Sequence, residues 1–147
     1  MSDVCPICSQ TSLQRQHGTE WLSVNCPNCG EFIITDDAKF DTEAKIGKDE
    51  QKRALASHAI RNLSARGTQV KVYSSDIDEF LKGSPPSVME QVNNLLNHFA
   101  ATAKEPGNTI RFTHPEEFTG VTGALSKEGV TALFEFLCES NFLKKQG

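Results

Sequence analysis

Long hydrophobic runs are missing from this sequence. No stretch of its 147 residues approaches the roughly 20 consecutive apolar side chains that a bilayer-crossing helix needs, so no membrane association is expected. The opening Met1-Ser2-Asp3-Val4-Cys5 lacks the basic-then-apolar order of a secretory leader, which makes a cytoplasmic, reducing location the expectation. A basic excess is missing as well. Fifteen Lys and Arg stand against 19 Asp and Glu, a net −4, and that balance counts against a protein that coats nucleic acid through its phosphates. The chain has no glycine-rich phosphate loop, no helix with paired metalloprotease histidines and neither half of the zinc deaminase signature. With no catalytic constellation legible, an enzyme is not expected. Internal repeats and low-complexity tracts are also absent, and 37% apolar with 23% charged residues is a globular composition.

What the sequence does have is cysteine in pairs. Four of its five cysteines form Cys5-Pro6-Ile7-Cys8 and Cys26-Pro27-Asn28-Cys29-Gly30, with 17 residues between the pairs. In a reducing compartment such spacing points to metal rather than to disulfides. A two-residue spacer lets both thiolates of a tight turn reach adjacent vertices of one tetrahedron. Proline fixes each turn, and Gly30 relieves strain after the second; Ser9 stands where the first turn would usually have glycine. The intervening segment is long enough for one hairpin. Binding zinc supplies on the order of 10 kcal/mol of folding free energy, which a segment of this size with few apolar residues needs. With four protein ligands no coordination position remains for water, so the metal is expected to be structural zinc. Iron in the same four thiolates, and disulfides, stay open as alternatives at this point.

Along the rest of the chain, Thr19–Asn25 and Phe32–Thr35 read as short strands. Asp36 to Asp41 reads as a polar exit from the first unit. A helix is expected over 49–66, capped by Asp49 and stopped at Gly67, with Leu55, Ala59 and Leu63 beside Ala56 and Ile60 as its apolar stripe. Gln69–Tyr73 alternates as a strand. Ser75 and Asp78 resemble a capping box for a short helix through Ile77, Phe80 and Leu81, closed by Gly83. The next helix starts at Ser84-Pro85-Pro86-Ser87, carries Val88, Met89, Val92, Leu95, Leu96, Phe99 and Ala103 on one stripe, and ends at Pro106-Gly107. Thr109–Phe112 reads as a strand and His114–Gly123 as irregular. The last helix starts at Ser126 and buries Val130, Leu133, Phe134 and Leu137; Asn141 takes the left-handed stop, and Phe142-Leu143 reads as the start of a strand. The chain thus reads as ending where a β-wing would begin, which suggests the N-terminal part of something larger.

Other chemistry-bearing residues have bland readings that outweigh the sharp ones. His17 is taken as a loop histidine because the four-cysteine set is complete without it. His58 and His98 are placed on solvent-facing sides of their helices. His114 beside Glu116 and Glu117 is the one imaginable acid–base pair, and a polar loop is the better reading. Cys138 reads as a half-buried core thiol. Lys45, Lys48, Lys52, Arg53, Arg61 and Arg66, against Asp49 and Glu50, make a local +4 that forms a candidate binding surface.

The two knuckles resemble a zinc ribbon of the rubredoxin-like knuckle type over residues 1 to about 36. With Leu55-Ala56-Ser57-His58-Ala59-Ile60-Arg61 and Leu133–Leu137 through Asn141-Phe142-Leu143, the order of elements resembles N-terminal regions of bacterial anti-phage or toxin-type effector proteins. In those a ribbon precedes a winged-helix-like module. The resemblance implies an α+β protein, with a zinc ribbon at 1–40 and a mainly helical, winged-helix-like domain at 41–147. It implies a non-catalytic recognition or adaptor role toward a protein partner or an attached effector domain, with homo-oligomerisation as a further option. Nucleic acid is the less favoured partner. The competing reading is a DNA-binding regulator whose last helix enters the major groove.

Overall fold

The computed structural model describes residues 3–67, 69–103 and 114–143. It is an α+β structure in which a five-stranded sheet precedes most of the helices. Strands β1 (Asp3–Val4), β2 (Thr11–His17), β3 (Trp21–Cys26) and β4 (Gly30–Thr35) pair antiparallel in chain order. Inward alternation fixes the register of the middle strands. Leu22, Val24 and Cys26 of β3, with Phe32 and Ile34 of β4, are buried, while Trp21 and Asn25 face out. Strand β2 escapes the sequence reading because Thr11-Ser12-Leu13-Gln14-Arg15-Gln16-His17 has one large apolar side chain, Leu13, and that one is exposed.

The polar exit expected at Asp36–Asp41 is instead helix α1 (Asp36–Lys45). Thr35 caps it by accepting the Ala38 amide, and Asp36 and Asp37 sit at the positive end of the helix dipole. Only Ala38 and Thr42 are buried, so the apolar period that would reveal the helix is too thin to read. Helix α2 (Glu50–Ala65) follows with Asp49 as its cap, and Gly67 takes φ +80° just past its end, as expected. Its buried face is rotated from the expected stripe: Ala54, Ala56, Ser57 and Ile60 are buried, whereas Leu55, Ala59 and Leu63 are intermediate. Small residues there allow close approach of other backbone. Strand β5 (Lys71–Val72) lies parallel to β4, joined to it by the crossover through α1 and α2.

Helix α3 (Ser74–Lys82) begins one residue before the expected capping box. Its reciprocal contact is Asp76, which accepts the Tyr73 amide at 2.8 Å, rather than Asp78. Asp78 pairs with Lys45 instead. Helix α4 (Val88–Thr102) is capped by Ser87 and buries Val92, Leu95 and Phe99. Val88 and Met89 are 67% and 62% exposed, so the apolar stripe starts a turn later than the sequence suggested. The Pro106-Gly107 stop, the Thr109–Phe112 strand and Lys144 onward lie outside the described residues. The expected irregular stretch is partly ordered, as a 3-10 turn at Pro115–Phe118 running into the one-turn helix α5 (Thr119–Thr122). Helix α6 (Lys127–Glu139) starts at Ser126 and buries Val130, Leu133 and Leu137. Asn141 adopts φ +64° as expected, but Phe142 and Leu143 do not begin a strand; both their amides turn back onto the Leu137 carbonyl.

Packing divides into two apolar cores. The first joins the ribbon to α2, β5 and α3, through residues from Cys5 to Ile77. It does not stop near residue 40. The second lies between α4 and α6, with Ala124 and Phe118 at its edge. Helix α5 lies against α2, between the two.

Candidate metal centre

Both knuckles are built by tight turns at strand ends. In the first, the Ser9 amide bonds the Cys5 carbonyl at 2.9 Å and the Cys5 amide bonds the Gln10 carbonyl at 2.7 Å. The second closes the β3–β4 hairpin, where Cys26 pairs with Gly30 and the Cys29 amide points at Cys26 Sγ at 3.4 Å. Such an amide offsets thiolate charge. Ile7, between the first two cysteines, is buried in the first core.

All four cysteines are buried, and their four sulfurs lie within 4.8 Å of one another. Cys5 Sγ is 3.8 Å from Cys29 Sγ, and Cys8 Sγ is 3.4 Å from Cys26 Sγ. None of them is disulfide-bonded. A regular tetrahedron with metal–sulfur bonds of about 2.3 Å has edges of about 3.8 Å. The donor set therefore fits one ion. The burial pushes the Cys29 thiol well above its ordinary pKa, while hydrogen bonding from Cys29 and the other thiols pulls Cys26 down. Neutral thiols packed this closely compete for donors, and a dication that displaces their protons resolves the competition.

A second layer of residues surrounds the sulfurs. Ser57 Oγ of α2 lies 3.1 Å from Cys29 Sγ, placed to donate to a thiolate. Arg61, one turn further along the same face, donates through Nη1 to the carbonyls of Pro27 at 2.7 Å and Asn28 at 3.1 Å. Its partial burial lowers its pKa from the usual guanidinium value, and the nearby Cys29 and Cys26 oppose that shift. Four thiolates around a dication carry a net −2, so a hydroxyl and a guanidinium on this side are the complementary groups. Asn28 is 0% exposed. Its Oδ1 accepts the Gly120 amide at 2.6 Å and its Nδ2 donates to Thr119 Oγ1 at 3.2 Å. His58 Nδ1 donates to the Gly120 carbonyl at 2.7 Å, and Asn62 Nδ2 donates to His58 Nε2.

The four cysteines named from sequence are brought together; of the six bases named as a surface, several lie near the start of α2 with acceptors of their own, and Arg61 lies apart at the second knuckle. Lys45 pairs with Asp78 at 3.0 Å and lies 3.9 Å from Asp41. Lys52 Nζ reaches the Lys45 carbonyl, and Arg53 Nε caps the turn at the Gly47 carbonyl. Arg61 belongs to the metal centre. Lys48 and Arg66 are exposed near opposite ends of α2, whose 16 residues span about 24 Å.

Three of the four histidines differ from their sequence reading, and His114 agrees with it. His58 and His98 are half-buried rather than solvent-facing. His98 stacks edge-on against Phe118, with ring centroids 5.7 Å apart, and its burial lowers its pKa. His17 is a strand residue bonded to Ser23 Oγ at 2.8 Å, outside the metal centre. His114 lies 3.6 Å from Glu116, and the pair is open to solvent. Cys138 is half-buried on α6. Sequence reasoning missed Asn28, Ser57 and Gly120 as functional neighbours. The available signal was Ser57 and Arg61, two polar residues four apart beside the apolar Ala56 and Ile60.

Comparison of the chain with family models, with curated proteins and with solved structures returns no match. No described helix is long and apolar enough to cross a membrane.

Proposed function

We propose that the chain is a zinc-stapled, non-catalytic recognition module that presents surfaces to a protein partner or to an attached effector domain. The observation that carries this reading is the closed coordination set. Four buried thiols supply every ligand of a tetrahedral ion, leaving no position for a substrate or an activated water. Zinc rather than iron rests on the resemblance of the two knuckles to a zinc ribbon, since both metals take the same four thiolates. The most chemically equipped groups nearby, Ser57, His58 and Arg61, are all committed to backbone or sulfur atoms.

Two surfaces are available for contacts. The outer face of the sheet carries Leu13, Arg15, Trp21 and Asn25, with Lys71 over the Trp21 ring at 4.3 Å. The outer side of α6 carries Glu128, Ala132, Glu135, Phe136 and Glu139. A place in bacterial anti-phage or toxin-type systems rests on the sequence resemblance alone.

The competing reading, a DNA-binding regulator that inserts α6 into the major groove, has that acidic outer side against it. Three glutamates would face phosphate, with Lys127 as the only base on the helix. Titration of metal-loaded protein with duplex DNA at 50 and 200 mM salt, roughly the range over which phosphate-driven binding collapses, separates the two. The adaptor reading expects no steep salt-dependent affinity. Micromolar binding that weakens by orders of magnitude with salt would replace it with the regulator.

A further inference from the structure

The two apolar cores are separate clusters among the described residues, and a polar contact between them is organised around the second knuckle. Between Cys26 and Cys29 the chain offers Asn28, whose buried amide makes two hydrogen bonds to α5: the Gly120 amide to Oδ1, and Nδ2 to Thr119 Oγ1. The Gly120 carbonyl is taken by His58 on the other side. Gly120 is required by space as well as by bonding. A Cβ there would run into Ser57 Oγ and into both the backbone oxygen and Oδ1 of Asn28. The contact continues into the second core, since Asn94 of α4 donates to the Thr122 carbonyl at 3.0 Å and the Thr122 hydroxyl accepts the Ala124 amide at 3.1 Å.

Asn28 can hold this geometry only while the turn that carries it is held. Its neighbours Cys26 and Cys29 are the only residues of that turn tied by sulfur, and Arg61 clamps the Pro27 and Asn28 carbonyls from α2. We infer that occupancy of the four-cysteine site controls the docking of the α4–α6 unit onto the ribbon, with Asn28 as the latch and Thr119-Gly120 as its catch. An ion in the site fixes the knuckle and presents the amide; loss of the ion frees the turn, and the Gly120 amide and Thr119 hydroxyl of α5 lose their partner. Linkage makes this reciprocal, so whatever weakens the latch also weakens metal binding.

The test is hydrogen exchange on the full chain together with competition for zinc by a chromogenic chelator. Asn28→Ala retains all four cysteines, and Thr119→Val removes one latch bond from the far side without touching the knuckle. Both variants are expected to bind one zinc per chain, with affinity lowered by about 10-fold for Asn28→Ala and less for Thr119→Val. In the zinc-loaded Asn28→Ala variant, exchange at residues 119–122 should rise toward the rate seen in chelator-treated wild type. The amides around Leu95, Leu133 and Leu137 should stay protected in that variant. Wild-type zinc affinity in both variants would overturn the inference. So would residues 119–122 that remain as protected after chelation as before it. Should Asn28→Ala fail to fold, Thr119→Val alone decides, by the same two readouts.

Discussion

Ser9 and Gly30 occupy the same place in the two knuckles, each following its second cysteine, and both are left-handed, with φ of +66° and +90°. In the second knuckle glycine meets the need without strain; a Cβ at Gly30 would also come within 3.0 Å of Ser64 Oγ. In the first, a serine adopts a conformation that costs an L-residue roughly 1 kcal/mol. Replacing Ser9 with glycine removes that cost and is expected to raise the melting temperature of zinc-loaded protein by about 3 °C. Gly30→Ala should lower it by at least as much. Thermal denaturation at saturating zinc checks both, and a Ser9→Gly variant that melts below wild type would contradict the left-handed turn.

The cysteines themselves make a sharper prediction. Cys26→Ser leaves three thiolates and an incomplete tetrahedron, so metal content by elemental analysis should fall well below one per chain. Zinc should be the metal found in wild type. Because the first apolar core includes all four cysteines, loss of the ion should take the ribbon with it, at a cost of several kcal/mol. Cys138→Ser is the control. That thiol is half-buried on α6, away from the site, and the change should alter stability by less than about 1 kcal/mol and metal content not at all.

Where the sequence was legible, it was so because one physical requirement had one residue-level solution. A two-residue spacer places both thiols of a tight turn on one ion, and two such pairs supply a complete tetrahedral set. The helix caps Asp49 and Ser126 are legible for the same reason, as each side chain accepts an amide three residues on; Ser87 does the same at the end of the Ser84–Ser87 start signal. Legibility failed where stability comes from outside the segment. Strand β2 has no inward apolar alternation and is held by pairing to β3 and β1. Helix α1 buries only Ala38 and Thr42. The latch was invisible because its partners lie 92 residues apart in the chain.

Arg61, one of the six bases of the candidate surface, bonds the second knuckle in the structure. Its guanidinium bridges two carbonyls of the metal turn, so Arg61→Ala should leave both acceptors short of a partner in a partly buried place. The expected loss is roughly 2 kcal/mol, on the scale of hydrogen bonds from charged groups. Lys48→Ala, at an exposed position, should cost under about 0.5 kcal/mol. Chemical denaturation of the two variants at equal zinc is the check; equal costs would return Arg61 to the surface.

Acid should weaken the second core through His98. Burial against Phe118, with Arg61 adding a smaller repulsion, lowers the His98 pKa from its ordinary 6.5. The unfolded chain therefore takes up a proton near pH 6.5 that the folded chain refuses. Stability supplied by the neutral ring is complete above that pH. It declines as pH falls from about 6.5 toward the depressed folded value, below which both states are protonated and the loss levels off. Protonation of the metal thiolates also destabilises the protein in acid, so wild type alone cannot isolate the histidine. The informative quantity is the difference between wild type and His98→Gln, measured by denaturation from pH 7.5 to 5.5. That difference should shrink as pH falls, because the glutamine variant has no imidazole to protonate, and a difference that stays constant across the range would show that His98 titrates alike in both states.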